Sequence, residues 1–135
     1  MTEAAEQAAD ALGAVIEARD TAGLQSLYAE DIAIWHGVTN VEQSKAENIA
    51  LLDQVFRITS RLRYADIRRF RIEDGIVQQH SLVGAFADGT PTPDLHACLV
   101  LKLRGDQIVR IDEYFDSAAF APFAERIAAL SQVDA

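Results

Sequence analysis

The chain has 135 residues, of which 50% are hydrophobic, and a formal net charge of -9 with a pI near 4.6. This length predicts one domain over residues 1–135, and a domain of this size buries roughly two-thirds of the surface of its unfolded chain. The negative charge repels phosphate backbones and anionic lipid headgroups, so we expect neither nucleic acid nor a membrane as a partner. Cys98 is the only cysteine, which excludes an intramolecular disulfide, and the start MTEAAEQAAD lacks the basic and apolar regions of a secretory signal. We therefore expect a soluble protein of the cytoplasm.

The first half of the chain carries three helical patterns. Apolar residues at helical spacing predict a first helix over residues 3–19, and Asp20 or Thr21 can cap a short second helix. Asn40 is followed three residues later by Gln43, which resembles a capping box at the start of a third helix. The apolar stripes of the three helices are Ala8, Ala11, Leu12, Val15 and Ile16, then Leu24, Leu27 and Tyr28, then Ile49, Leu52, Val55 and Phe56.

Two-residue alternation replaces the helical spacing in the run IAIWHG and again after residue 60. The later predicted strands cover residues 61–73, 76–86, 95–104 and 107–116. Asp74-Gly75 and Gly105-Asp106 are short turn signals, so the strands on either side of each should pair as antiparallel hairpins. Residues 87–94 are rich in Gly, Pro and Thr and predict a longer loop.

The tail returns to helical spacing after Asp116 or Ser117, and Pro122 limits where this C-terminal helix begins. Three helices packed on a strongly curved mixed or antiparallel sheet, with a short helix at the end, predict an α+β domain with its helices on one sheet face. The other face carries a mixed set of side chains that is either solvated or paired with a second subunit. These side chains are His96, Cys98, Val100, Asp112 and Tyr114.

Half of the twelve basic residues crowd into one short region. They are Arg57, Arg61, Arg63, Arg68, Arg69 and Arg71. On an acidic protein this cluster indicates a solvated strand face or a subunit contact, with an anion-binding site as the alternative.

Strand alternation places His36, His80 and Glu113 on three otherwise apolar strand faces. Val109 and Ile111 are expected on the face of Glu113. A carboxylate buried among apolar neighbours without a partner loses much of its solvation energy, so Glu113 should be protonated, paired or kept for chemistry. If the three faces line one cavity, these groups converge in a mostly hydrophobic space that suits a small molecule. The residues expected to bind that molecule are Ile34, Trp35, Leu82, Phe86, Leu99, Ile111 and Phe115.

These residue types favour acid/base chemistry. A glutamate in an apolar cavity can have its pKa raised toward neutrality and then exchange protons, and a nearby histidine can orient or complement it. We therefore assign Glu113 as general acid/base, His36 as its partner and His80 as a polar anchor, without a metal or other cofactor. Two histidines and a carboxylate can alternatively hold a metal as a facial triad.

The polar residues Gln78 and Gln79 precede His80 and indicate that this end of the strand is exposed to solvent.

The order of elements, the segment LYAEDIAIWHG and the ending RIDEYFD resemble the nuclear-transport-factor-2-like superfamily, in particular its SnoaL-like polyketide cyclase, ketosteroid isomerase and limonene epoxide hydrolase branches. The resemblance implies a cone-shaped, cystatin-like roll, an apolar pocket, a dimer through the outer sheet face and no cofactor. It implies steroid-like, terpene-like or aromatic polyketide substrates. By the same resemblance, Glu113 matches a carboxylate that helps epoxide hydrolases to activate water. His36 matches the general-base aspartate of the isomerases and a water-positioning asparagine of the hydrolases.

Departures from these enzymes keep three hypotheses open. By the resemblance, His80 and Leu82 stand where epoxide hydrolases carry an arginine and a carboxylate. Leu12 and Leu99 stand where isomerases carry an oxyanion-binding tyrosine and aspartic acid. The leading hypothesis is an enzyme of isomerase, cyclase, lyase or hydratase type that acts on a small hydrophobic molecule. The second is a non-catalytic binding domain for an apolar ligand or an acidic partner, and the third is a dimerisation module, which predicts no enclosed cavity.

Overall fold

The computed structural model describes the backbone of residues 2–134 and the side chains of residues 4–131. Over this range the chain forms four helices and one six-stranded sheet, an α+β architecture as predicted. The helices are α1 (Thr2–Ala18), α2 (Thr21–Leu27), α3 (Lys45–Ile58) and α4 (Ser117–Asp134). The strands are β1 (Tyr28–His36), β2 (Val41–Gln43), β3 (Thr59–Ile72), β4 (Gly75–Phe86), β5 (Leu95–Arg104) and β6 (Gln107–Phe115). None of these helices is long and apolar enough to cross a membrane.

The sheet is mixed, with the strand order β2-β1-β6-β5-β4-β3. The strands from β3 to β6 pair as the predicted antiparallel hairpins, and β2 pairs antiparallel with β1. In contrast, β1 runs parallel to β6, the last strand of the chain. This crossover places the end of β1 beside the end of β6, where His36 and Glu113 are register partners.

A β-bulge in β3 decides which arginines face the helices. The register of the β3–β4 pair shifts at Asp66, whose φ of 55° lies in the left-handed region. An extra residue bends the strand and reverses its side-chain alternation. Arg69 and Arg71 consequently face α1, with Arg69 Nη1 2.7 Å from Asp10 Oδ1 and Arg71 Nη2 3.1 Å from Glu6 Oε1. The prediction of a solvated or subunit-contact face is wrong for Arg69, whose side chain is 21% exposed, whereas Arg71 stays exposed.

A second irregularity changes the inner face of β6. The register of the β5–β6 pair shifts between Lys102 and Leu103. As a result Ile108 is fully buried, whereas Val109 is half-buried. The placement of Val109 on the inner face was therefore wrong, because alternation was carried through a bulge. From Ile111 onward the predicted alternation agrees with the structure.

Helix α3 begins later than predicted. Its N-cap is Ser44, whose hydroxyl accepts a hydrogen bond from the Glu47 N–H at 3.2 Å, while the Glu47 carboxylate accepts one from the Ser44 N–H at 2.9 Å. Asn40 lies in the turn before β2 with a φ of 54°, and Gln43 ends that strand. An N-cap needs extended backbone, so the left-handed Asn40 cannot serve as one. Of two similar signals four residues apart, the second one starts the helix.

The C-terminal helix is longer than predicted. Helix α4 has 18 residues and contains Pro122 in its interior rather than at its start. Phe123, which is only 1% exposed, packs with Ile58 and Phe86 in a small apolar cluster. Helix α4 thereby covers apolar surface that α3 and β4 would otherwise expose.

Candidate functional site

A cavity of about 520 Å³ lies between the helices and the inner face of the sheet. Its volume falls within the roughly 300–1,000 Å³ typical of small-molecule sites, and most of its lining is apolar. Five of the seven predicted substrate-binding residues line it: Ile34, Leu82, Leu99, Ile111 and Phe115. Leu12 from α1 lines it as well. The dimerisation-module hypothesis predicts no enclosed cavity, and a space of this volume, although partly open to solvent, argues against a filled core.

Trp35 and Phe86 lie elsewhere, so their assignment to the substrate site was wrong. Trp35 is on the outer face, where its indole N–H donates to Asn40 Oδ1 at 2.9 Å and its ring meets the edge of Tyr114 at 5.2 Å between centroids. The two-residue period of β1 already places the Trp35 side chain on the opposite sheet face from those of its neighbours Ile34 and His36. Phe86 does point inward, but it packs against Phe123 of α4 at 5.2 Å between centroids. The guanidinium of Arg126 lies over the Phe86 ring, 3.7 Å from the ring centroid.

His36 and Glu113 form a direct pair on the cavity wall. His36 Nε2 lies 3.2 Å from Glu113 Oε1, and the two side chains are 12% and 25% exposed. The pair exists because β1 and β6 are parallel neighbours in register at these positions. Phe115 presents its ring to His36 at 6.4 Å between centroids. A carboxylate and an imidazole at hydrogen-bond distance, half-shielded from water, can accept, hold and return a proton.

His80 faces the same cavity from β4 and is only 5% exposed. Its ring stacks on Tyr64, with centroids 3.7 Å apart and planes 18° from parallel. Burial lowers the pKa of His80 to about 4, and the charge of Glu113 only partly opposes this effect. His80 is therefore neutral near pH 7.

Glu113 acts electrostatically on side chains from three other strands. Its negative charge adds to burial in raising the pKa of Tyr28 on β1 and of Tyr64 on β3, so both phenols stay protonated. The same charge acts on His80 of β4. The three predicted ionisable residues thus share one face and one cavity, together with two tyrosines that sequence reasoning did not place there. Tyr28 had been assigned to the second helix, although it begins β1.

Gln78 differs most clearly from its prediction. It was predicted to be solvent-exposed, but it is only 1% exposed. Its amide oxygen accepts a hydrogen bond from Arg69 Nε at 2.8 Å, and its amide nitrogen lies 2.9 Å from His80 Nδ1. The two-residue period does place Gln78 on the face of His80, which was a usable signal. Its burial depends on Arg69, which the bulge in β3 turns inward.

A second group of hydrogen-bonded side chains lies on the cavity wall. The Tyr28 hydroxyl donates to Asn48 Oδ1 at 2.8 Å, and Asn48 Nδ2 donates to Gln43 Oε1 at 3.0 Å. All three residues line the cavity. Because β2 was predicted as the start of a helix, neither Gln43 nor Asn48 was assigned to the site.

Among the described residues, no three His, Cys, Asp or Glu side chains are grouped so that they could hold a metal ion. His36, His80 and Glu113 therefore share a cavity without forming the facial triad that was considered as an alternative.

No protein-family model and no curated protein sequence matches the chain. Solved structures match it over most of its length. A proposed isomerase from Bacillus subtilis is 15% identical, with a TM-score of 0.78 over 93% of this chain and 95% of that one. A proposed polyketide cyclase from Pseudomonas putida is 22% identical, with a TM-score of 0.73 over 88% and 96% of the two chains. TerC, crystallised with polyporic acid, is 21% identical, with a TM-score of 0.73 over 90% and 98%.

Proposed function

We propose that this domain, which has the nuclear-transport-factor-2-like fold, is an enzyme that performs acid/base chemistry on a small hydrophobic molecule. One observation carries the proposal: His36 and Glu113 lie 3.2 Å apart on the wall of an apolar cavity of about 520 Å³. A polar pair in such a cavity is surrounded by few competing water molecules, which strengthens its electrostatic effect on a bound substrate.

In the proposed reaction the Glu113 carboxylate accepts a proton from a carbon or hydroxyl group of the substrate. His36 orients the carboxylate through its Nε2 and can complement it as a second proton-transfer group. Return of the proton to another atom gives an isomerisation, while loss of a leaving group gives an elimination. Aldol-type cyclisation and addition of water use the same two groups. Addition of water also needs one water molecule as a reactant, whose proton Glu113 would accept.

The proteins with similar structures share the fold, and their descriptions are compatible with an enzyme that acts on a small molecule. They include a proposed isomerase, a proposed polyketide cyclase and a protein crystallised with polyporic acid. We propose a steroid-like, terpene-like or polyketide-like substrate for this cavity, since its apolar lining would bury most of such a molecule. A cytoplasmic location fits this role and stays a prediction from the composition.

A binding domain without catalysis is the second candidate. It is favoured by Leu12, Leu82 and Leu99, which line the cavity where the resemblance implies polar residues in related enzymes. A cavity with more leucines and fewer polar groups retains apolar ligands well but stabilises less charge in a transition state.

Proton transfer can be tested without knowing the natural substrate. Carbonyl compounds with acidic C–H bonds, including α-tetralone, would be incubated with the protein in deuterated water, and C–H to C–D exchange followed by NMR. We expect exchange with the wild-type protein and its loss in Glu113→Gln, while tetralin, the hydrocarbon analogue, binds both proteins equally. Binding without exchange by the wild-type protein would contradict the enzyme and support the binding domain.

A further inference from the structure

A chain of polar contacts runs from the surface of α1 to the cavity. Asp10 Oδ1 lies 2.7 Å from Arg69 Nη1, and Arg69 Nε donates to Gln78 Oε1 at 2.8 Å. Gln78 Nε2 in turn lies 2.9 Å from His80 Nδ1. Gln78 and His80 are 1% and 5% exposed, so water does not replace these contacts. The chain links the surface carboxylate of Asp10 to the cavity residue His80 through two side chains, those of Arg69 and Gln78.

The polarity of this chain follows from the chemistry of arginine. A guanidinium only donates hydrogen bonds, so the Gln78 amide must present its oxygen to Arg69. The amide nitrogen, which only donates, then faces His80. His80 Nδ1 must therefore accept and cannot carry a hydrogen. A neutral imidazole with an unprotonated Nδ1 carries its hydrogen on Nε2.

We propose that Gln78, held by Arg69, fixes His80 as the Nε2–H tautomer, and that His80 donates this hydrogen bond to a carbonyl or enolate oxygen of the substrate. His80 lines the cavity, and none of the described side chains accepts a hydrogen bond from its Nε2. The donor is thus available to a bound molecule. The substrate class follows: a mostly apolar compound with an oxygen acceptor that meets His80 while its acidic C–H group faces Glu113.

The surroundings of His80 agree with a donor rather than a base. The titratable groups around it are Tyr64, stacked on its ring from β3, and Glu113, whose charge acts on it from β6. Protonation of Nδ1 would place its N–H against the Gln78 amide group and cost the hydrogen bond between them. Arg69 and Gln78 are accordingly positioning residues, and a charged donor at His80 is disfavoured.

The tautomer can be observed directly by ¹⁵N NMR of the imidazole side chains, with His80 assigned from His80→Gln. We expect the Nε2–H form to persist from about pH 8 down to about pH 5.5, because His80 stays neutral over this range. An Nδ1–H form, or a charged ring near pH 7, would overturn the proposal. This readout needs no substrate and does not depend on whether Glu113 is catalytic.

Gln78→Glu reverses the polarity of the chain with little change in shape. A carboxylate at this position can still accept from Arg69, so the fold should persist, but it also accepts from His80 and should move the hydrogen to Nδ1 or charge the ring. Gln79→Glu is the matched control, since it adds the same charge one residue away on the outer face of β4. An unchanged tautomer in Gln78→Glu, or an equal change in both variants, would contradict the assignment.

Binding of α-tetralone against tetralin then tests the substrate class, which rests on the proposed function. We expect the ketone to bind the wild-type protein about 10-fold more tightly than the hydrocarbon, the effect of one added hydrogen bond. The preference should disappear in Gln78→Glu if the NMR spectrum shows the Nδ1–H form, because Nε2 then only accepts, and should remain if the ring is charged, because a charged ring keeps its Nε2–H. It should remain in Gln79→Glu. Equal affinity of ketone and hydrocarbon for the wild-type protein would reject the oxygen-binding role. Loss of exchange in Glu113→Gln with the preference retained would separate this role from the proton transfer.

Discussion

The two faces of the sheet each carry a close pair that includes a histidine. On the inner face His36 and Glu113 are 3.2 Å apart, and on the outer face Ser81 Oγ lies 2.7 Å from His96 Nδ1. Both are register partners on neighbouring strands, and the outer pair is the shorter one. The inner pair lines the mostly apolar cavity, whereas the outer pair lines a more open and more polar pocket in which His96 is exposed.

The difference shows that a short distance between polar groups does not define a site. A serine beside a histidine suggests a nucleophile, but the backbone amides next to Ser81 and His96 are engaged in the β4–β5 ladder. They cannot form the set of free donors that stabilises an oxyanion. The inner pair is distinguished instead by a less open and less polar pocket, and by the neutral His80 that lines the same cavity.

The largest expected effect separates the two pairs directly. Glu113→Gln should reduce the exchange rate of α-tetralone by roughly 10²–10⁴-fold, the usual contribution of a general acid/base. Ser81→Ala and His96→Gln should leave the rate within about 2-fold of the wild type, because neither residue touches the cavity interior. The rates would be measured by NMR in deuterated water. A comparable loss in Ser81→Ala would place the chemistry on the outer face.

The next largest effect concerns how the free energy of unfolding depends on pH. The folded-state pKa of His80 is about 4. The unfolded chain therefore binds a proton below pH 6.5 that the folded chain excludes, so stability is lost as pH falls from 6.5 toward 4. We expect the wild-type protein to lose about 2 kcal/mol more than His80→Gln between about pH 7.5 and about pH 5, measured by urea unfolding. His96→Gln should behave like the wild type, and equal losses in all three proteins would contradict the buried neutral state.

A bulky residue should distinguish the two faces of one strand. Ala97 lines the cavity and Cys98 lies on the outer face of β5. Ala97→Phe should weaken tetralin binding by about 10-fold, because the new ring occupies space that the ligand needs. Cys98→Phe should leave the affinity unchanged in isothermal titration calorimetry. Weaker binding in Cys98→Phe alone would place the ligand on the outer face.

The smallest expected effect on the fold concerns the outer face. Three large apolar side chains are exposed there: Tyr114 at 53%, Ile67 at 44% and Phe70 at 53%. We propose that these apolar side chains join two copies of the chain, as the resemblance implies. Tyr114→Lys should change the free energy of unfolding by no more than about 1 kcal/mol while abolishing self-association in sedimentation velocity. Val41→Lys, equally exposed on β2, is the control, and a monomeric wild-type protein would refute the dimer.

Much of the fold could be predicted because its signals are local. Alternation with a period of two residues placed His36 and Glu113 on inner faces, and the structure brings them together as register partners. Except for β2, which was predicted as the start of α3, the order of helices and strands was likewise readable from spacing and turn residues. Alternation failed at Asp66 and Val109, where a bulge inserts an extra residue, since bulges depend on pairing between distant segments.

The missed parts of the site depend on such distant pairing. Gln78 is buried because Arg69 reaches it from a bulged neighbour, and nothing in the local sequence of β4 indicates that partner. Phe86 was assigned to the correct face, but α4 covers it, and the length of that helix was underestimated. For Trp35 the local signal was sufficient, because alternation alone places its side chain on the opposite sheet face from Ile34 and His36.

A crystal structure of the protein with α-tetralone is the most direct test of the proposed site, because it locates one ligand relative to both faces of the sheet. We expect the ketone to lie in the inner cavity, with its oxygen within hydrogen-bond distance of His80 Nε2 and its acidic carbon facing Glu113. A ligand bound beside Ser81 and His96 on the outer face, or a cavity ligand whose oxygen points away from His80, would contradict the proposed site.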